Sequence, residues 1–333
     1  MRNLMNRFFF ACIFTFAGIL LTGCDGGGIV ADQSPAQAET LEAKSAEVDY
    51  LQGVQLQRQQ QPQQACDSYA SAVAKCPEEL SYLLAEAEML VALNKPADAM
   101  TLLQSKASYF NHSGVIRDEI GQLLIQQKRY AEAVPVLREA SILAGDDSTI
   151  REHLAFALLS DKQFSDAADL FARLAREPGY NKRADVQAAE GECQSETNRL
   201  QEAIASYQLA TQLEPDCAGY WIGLAKVLAQ SNDLANAESA IGRAITLDSS
   251  SGDAQCLMGY IRLKENQLPE SLTAFHTAAG LNPTDSVSEC MQGYVLSRMR
   301  RMSESQQFYE RALSINPHDE LAARLMAGGD SHD

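Results

Sequence analysis

The 333-residue chain is poor in basic residues and contains none of the short motifs that mark common catalytic sites. Lys and Arg number 27 against 44 Asp and Glu, which gives a formal net charge of −17. This balance disfavours nucleic acid as a partner, because phosphates require basic contacts. HExxH, GxSxG, P-loop and GxGxxG patterns are absent, and the histidines and cysteines lack metal-ligand spacing. The sequence predicts a non-catalytic protein without cofactor, metal or small-molecule substrate.

The chain also lacks an apolar run long enough to cross a membrane. Its most apolar stretch extends from Phe8 to Leu21, whereas a spanning helix needs roughly 20 residues. Arg2 and Arg7 precede this stretch and L-T-G-C follows its end, which is the layout of a secretory signal over residues 1–23. Its removal would change the formal charge from −17 to −19, because Arg2 and Arg7 are lost.

Residues 21–24, L-T-G-C, resemble the bacterial lipobox, which implies acylation of Cys24. Asp25 resembles the signal that retains enteric lipoproteins in the inner membrane. We therefore expect a lipid-anchored protein of the bacterial cell envelope, at the periplasmic face of the inner membrane. The alternatives are a plain signal peptide with an incidental cysteine, or an uncleaved anchor on a cytoplasmic scaffold. Residues 24–45 are rich in Gly, Ala, Gln, Ser and Pro, which predicts a flexible tether.

A 34-residue repeat accounts for most of the remaining sequence. Within one unit, Leu200, Ala203, Tyr207 and Ala210 are separated by three, four and three residues, which places them on one face of a helix. Pro215 then stops that helix. The pattern recurs in eight units, which are residues 46–79, 80–113, 114–147, 148–183, 184–217, 218–251, 252–285 and 286–319.

Each unit also contains an upstream helix, marked by a column that holds only Gly or Ala. Its members are Gly53, Ala87, Gly121, Ala155, Gly191, Ala225, Gly259 and Gly293. A small side chain lets a second helix approach closely, and in four units an Asn seven residues later suits the left-handed turn that ends a helix. Each unit is therefore predicted to be a helical hairpin, with two inserted residues near 179–182.

This pattern resembles the tetratricopeptide repeat, TPR. The resemblance rests on Trp221, Leu224, Ala237, Ala244 and the series Pro215, Pro283 and Pro317. It implies an all-α, right-handed superhelical solenoid whose inner wall is lined by the first helix of each hairpin. Residues 320–333 are predicted to form a capping helix and a tail.

On that wall, two columns of residues change from acidic to aliphatic and aromatic along the chain. One column directly follows the small residue of each unit, and the other lies four residues before the first. The predicted partner-binding residues are Glu88, Asp118, Glu152, Glu192, Ile222, Lys226, Tyr260 and Tyr294. An acidic track followed by an aliphatic and aromatic track would suit a protein or peptide with a basic half and an apolar half. The alternative is that the tyrosines pack against neighbouring helices and the acids form a solvated face.

The predicted function is a non-catalytic envelope scaffold that binds a partner protein, for assembly of a secretion, pilus or cell-wall complex. The alternative is an accessory or substrate-binding subunit of an enzyme that acts on envelope polymers. Unit five places Glu190 and Gln194 where its neighbours have leucine, which predicts a hinge between units four and five. The cysteines of the repeats are expected to be mostly free, buried thiols, and they are Cys66, Cys76, Cys193, Cys217, Cys256 and Cys290.

Overall fold

Seventeen α-helices build the part of the chain that the computed structural model describes, residues 35–145 and 147–328. The first helices of the hairpins are α1 Pro35–Arg58, α3 Leu80–Ala92, α5 Gly114–Gln126, α7 Ser148–Ser160, α9 Ala184–Glu196, α11 Ala218–Gln230, α13 Gly252–Lys264 and α15 Ser286–Arg298. The second helices are α2 Pro62–Lys75, α4 Pro96–Lys106, α6 Tyr130–Ala144, α8 Phe164–Leu174, α10 Leu200–Leu213, α12 Leu234–Leu247, α14 Leu268–Leu281 and α16 Met302–Ile315; α17 is Glu320–Met326. These residues contain no strand, and the predicted all-α repeat solenoid is confirmed.

The helices form two compact bodies, one ending at Gln163 and the other beginning at Phe164. In the first body, α1 packs on α2, α2 on α3, and so on to α7; in the second, the same succession runs from α8 to α17. The division falls between α7 and α8, inside the fourth unit, whereas the hinge is predicted one helix later. The hinge therefore stays a prediction.

Every first helix ends in the same way. We call each position within a unit a slot and number the slots from the first residue of the unit. The residue in the fifteenth slot has φ between 59° and 64° in all eight hairpins. Asn occupies it four times, and the other occupants are Gln60, Lys128, Lys162 and Arg300. In the second hairpin, Lys95 N donates to Leu90 O at 2.8 Å, which satisfies a carbonyl of the last turn. The left-handed residue reverses the chain, so the second helix begins two residues later.

The column of small residues fixes how closely the two helices of a hairpin approach. A Cβ built at Gly259 would lie 2.9 Å from two ring atoms of Phe275, and one built at Gly191 would lie 2.8 Å from the ring of Tyr207. Gly53, Gly121 and Gly293 meet Tyr69, Leu137 and Tyr309 in the same manner. A larger residue in this column would push the large side chain of the second helix out of the core.

The fifth hairpin packs a polar side chain where its neighbours pack leucine. Gln194 is only 4% exposed, and its Nε2 donates to Glu190 Oε1 at 2.9 Å, while Ser206 Oγ donates to Gln194 Oε1 at 2.9 Å. Hydrogen bonding thus satisfies the buried amide. The weaker packing of this hairpin stays a prediction, and this network would partly offset it.

The N-terminal end of the described structure differs from the prediction. Helix α1 begins at Pro35, so residues 35–45 are helical, where a flexible tether is predicted over 24–45. Residues 41–45 are exposed, and Ala46 is fully buried. The signal 1–23 and Cys24 lie outside the described residues. Helix α17 packs on α15 and α16 at the other end.

Two further features follow from the helical stack. No helix among residues 35–328 has both the length and the apolar content to cross a bilayer. The six cysteines of the repeats are free, and burial raises the pKa of the Cys290 thiol to about 12. That thiol therefore stays protonated near neutral pH.

Candidate functional site

The first helices of the first body carry a group of carboxylates and one histidine, which we call the acidic wall. Its members are Glu88 on α3, Asp118 and Glu119 on α5, and Glu152 and His153 on α7. Glu88 is exposed, and its Oε1 accepts a hydrogen bond of 3.3 Å from Gln57 Nε2 of α1. The neighbouring helices partly desolvate its carboxyl group, which raises the pKa of Glu88, and the Gln57 hydrogen bond opposes that effect. The wall thus begins with an accessible carboxylate.

Asp118 and His153 join α5 to α7. His153 Nδ1 lies 2.8 Å from Asp118 Oδ1 and 2.9 Å from Oδ2, and Gln122 Nε2 donates to Oδ2 at 2.9 Å. Asp118 is only 6% exposed, so it anchors His153 instead of standing open to a partner as predicted. Burial is the largest single effect and lowers the pKa of His153, but the hydrogen bond to Asp118 and the negative charges of Asp118, Glu152 and Glu119 together outweigh it, so the net shift is upward.

Glu119 is the member that the sequence pattern does not single out. Its carboxyl group is half-buried, and burial raises its pKa to about 7, with the charge of Asp118 adding to the effect. His153 opposes the rise, whereas Glu88 of α3 reinforces it. The charges of three successive first helices therefore act on this one carboxyl group, which exchanges its proton near neutral pH.

Glu152 is predicted to lie on the wall surface but is 5% exposed, and the adjacent Arg151 is also buried. Its slot turns toward the interior of the stack, so Glu152 is not available to a partner in this conformation. The accessible part of the acidic wall is therefore Glu88 together with Glu119.

The first helices of the second body carry a wall of different composition. Glu192 is half-buried on α9, where burial raises its pKa and Lys226 opposes the rise. Lys226 on α11 donates to Glu196 Oε1 at 3.2 Å. Ile222 is half-buried and packs against the core of hairpins five to seven. The predicted change from acids to apolar residues thus begins with an ion pair and a packed isoleucine.

Tyr260 and Tyr294 each lie beneath a cation from the next turn of the same helix. Lys264 Nζ lies 5.4 Å from the ring centroid of Tyr260, and Arg298 Cζ lies 6.0 Å from that of Tyr294. Tyr260 is 39% exposed, whereas Tyr294 is half-buried against Val295 and its neighbours. We call these two pairs the cation–tyrosine row. It is both aromatic and basic, although the sequence pattern predicts only its aromatic part.

The arrangement suits recognition through charge and apolar contact. Across residues 35–145 and 147–328, no three His, Cys, Asp or Glu side chains converge in a way that could hold a metal ion. His153 and its carboxylate partner Asp118 lie 35 residues apart, in neighbouring repeats, so no short sequence motif marks the pair.

The stacked hairpins and their left-handed turns define a helical-repeat solenoid. Tetratricopeptide repeat family models match residues 119–182 and 189–254, and a second such model matches 290–319. The chain is a tetratricopeptide repeat protein. No curated protein matches it.

The solved structures similar to this chain share little sequence identity with it. A chain of the APC/C hetero-tetramer Cut9–Hcn1 is 12% identical with a TM-score of 0.57, over 80% of this chain and 52% of that one. This protein therefore spans about half the length of that relative. MamA from Desulfovibrio magneticus RS-1 is 14% identical, with a TM-score of 0.47 over 53% of this chain and 98% of that one. YrrB, a TPR protein with an unusual peptide-binding site, is 17% identical, with a TM-score of 0.44 over 57% and 97%.

Proposed function

We propose that this protein is a non-catalytic scaffold of the bacterial envelope, anchored through a lipid on Cys24, which binds a partner protein through the first helices of its hairpins. Repeats of this family generally serve as scaffolds for protein–protein interaction. The envelope location is supported by the signal-like residues 1–23 and the L-T-G-C motif.

One observation carries the binding part of this proposal. Carboxylates from α3 and α5 act on one another at the acidic wall, where Glu88 is exposed and Glu119 is held near its protonation midpoint at neutral pH. A lysine or arginine of a partner would relieve this repulsion and supply the missing positive charge. The acidic wall is therefore suited to a basic segment, and complexes of the secretion, pilus or cell-wall type are the candidates for its source.

The test is a direct binding measurement with a defined probe. A fluorescent peptide that alternates Lys and Leu is titrated with the full chain, and its Gln-for-Lys analogue serves as the reference. We expect the Glu88→Gln/Glu119→Gln variant to lose about tenfold in affinity for the basic peptide, which corresponds to about 1.4 kcal/mol.

The matched control is Glu132→Gln/Glu139→Gln, which also replaces two carboxyl groups, on the second helix α6, where both are exposed. The affinity of this variant should stay within about twofold of the wild type, because exposed charges away from the binding site contribute little. Equal losses in both variants would show that the binding is a response to overall charge and not to the acidic wall.

The anchor is tested separately. Metabolic labelling with a palmitate analogue should mark the wild type and leave Cys24→Ala unlabelled. Membrane association that survives in unlabelled Cys24→Ala would instead support an uncleaved N-terminal anchor.

A further inference from the structure

The cation–tyrosine row has a charge opposite to that of the chain as a whole. Lys264 and Arg298 occupy the same slot of adjacent hairpins, at the ends of α13 and α15, and both are exposed. Each cation lies over the tyrosine one turn earlier. In a protein with a net charge of −17, two cations in register on one face form a local positive site.

No carboxylate among the described residues forms a salt bridge with either of these cations. Lys226 on the preceding first helix is paired with Glu196, whereas Lys264 and Arg298 have no such partner within residues 35–328. Glu265, the residue after Lys264, is half-buried and forms no salt bridge with it, and the exposed Asp253 lies eleven residues before Lys264, which is about 16 Å along a helix. The positive charge of the row is therefore available to a ligand.

The two cations also lie close enough for one ligand to reach both. Arg298 Nη2 donates to Asn266 Oδ1 at 3.3 Å, which places the end of α15 beside the turn that follows α13. Lys264 lies two residues before Asn266, and three residues of an extended peptide span about 10 Å, because the chain advances about 3.3 Å per residue. Acidic residues three apart in an extended segment would therefore match the spacing of Lys264 and Arg298.

We propose that the cation–tyrosine row of α13 and α15 binds an extended acidic segment of a partner, with carboxylates three residues apart paired to Lys264 and Arg298. The exposed part of the Tyr260 ring supplies apolar contact for the residue between them. The proposal rests on the scaffold function proposed above, and it assigns the second body a ligand of opposite charge to that of the acidic wall.

The experiment measures fluorescence anisotropy of a labelled peptide with Glu at every third position among Ala and Leu, titrated with the full chain. Matched peptides carry Gln or Lys in place of Glu. We expect the Glu peptide to bind at least tenfold more tightly than the Gln peptide. Lys264→Gln/Arg298→Gln should abolish that preference. Lys264→Glu/Arg298→Glu should transfer it to the Lys peptide when both charge states are compared in the Glu88→Gln/Glu119→Gln background, which removes the basic-peptide site of the acidic wall.

Arg243→Gln/Arg311→Gln is the control, because it removes the same charge from exposed sites on the second helices α12 and α16. It should leave the affinity for the Glu peptide within about twofold of wild type.

Equal affinity of the wild type for the Glu and Gln peptides would overturn the proposal, as would equal losses in the two double variants. Failure of the alternating Lys–Leu peptide to bind the acidic wall, with binding of the Glu peptide intact, would refute only the basic-partner part of the proposed function.

Discussion

The column of small residues can be tested by one substitution that should have opposite effects at two positions of neighbouring hairpins. Gly259 lies on α13 against the ring of Phe275, whereas Gly242 lies on α12 with no atom within 4 Å of a built Cβ. Both lie in the interior of a helix, so replacement by Ala changes intrinsic helix propensity to a similar extent. Any difference in stability then reports the packing of the first helix on the second.

The expected magnitudes follow from the contacts. At Gly259, the added methyl group would lie 2.9 Å from two ring atoms and 3.0 Å from a third, and Phe275 is 1% exposed, so the ring has no free space into which to move. Overpacking of this kind costs about 1–3 kcal/mol, and the helix gain of Gly→Ala offsets about 1 kcal/mol of it. Gly259→Ala should therefore destabilise the protein by up to about 2 kcal/mol, and Gly242→Ala should stabilise it by about 1 kcal/mol.

Urea denaturation of the full chain, followed by circular dichroism, measures both variants against wild type. Removing ring volume with Phe275→Leu should reduce the penalty of Gly259→Ala, because the two side chains compete for one space. If Gly259→Ala stabilises the protein as much as Gly242→Ala, the small residues do not control the approach of the two helices, and close packing at this column is refuted.

Three other outcomes are expected. Lys128→Gly and Lys162→Gly should each raise the free energy of unfolding by about 0.5–1 kcal/mol in urea titrations, because both residues hold a left-handed conformation that only glycine adopts without cost. Burial raises the pKa of Glu119 from 4.5 to about 7, so the wild type loses stability as pH rises between those values. Glu119→Gln should therefore be more stable than wild type by roughly 3 kcal/mol above pH 7 and about equal to it below pH 4.5. Urea denaturation at a pH below 4.5 and at one above 7 measures the difference. Residues 175–200 should exchange amide hydrogens faster than hairpin six, and equal protection would contradict the hinge.

The hairpins could be predicted because the same packing slots recur in all eight units, so the sequence shows eight examples of the residues that each slot accepts. The second helices begin at Pro62, Tyr130, Leu200 and the corresponding residues of the other units, all in the same slot. An error at one unit is therefore corrected by the other seven. The left-handed slot shows the same redundancy, since four asparagines indicate a conformation that Lys128 and Lys162 also adopt.

The start of α1 could not be predicted from the same repeat. Composition favours a flexible segment through residue 45, yet the helix extends back to Pro35. Ala, Gln, Glu and Leu dominate residues 36–43, and these residue types have high helix propensity. Once α1 is fixed by packing at Ala46, extending it requires no new nucleus, so local propensity is sufficient.

The acidic wall could be predicted only in part, because slots adjacent in sequence point in directions about 100° apart around a helix. Asp118 and Glu152 share one slot, and both turn inward. Their sequence neighbours Glu119 and His153 are less buried, and each influences the pKa of the other. An error of one position is enough to exchange an anchoring carboxylate for an accessible one.

A signal for these contacts is nevertheless present in the sequence. Polar pairs between successive first helices lie about one repeat apart: Gln57 and Glu88 are separated by 31 residues, Asp118 and His153 by 35, and Glu196 and Lys226 by 30. Complementary side chains at separations close to these values are therefore candidates for wall contacts in a repeat of this length. Unlike the packing slots, each such pair occurs once, because it need not satisfy the shared geometry of eight hairpins. The repeat thus fixes the fold many times over, whereas the proposed ligand preference of each body depends on charges that occur in only one or two hairpins.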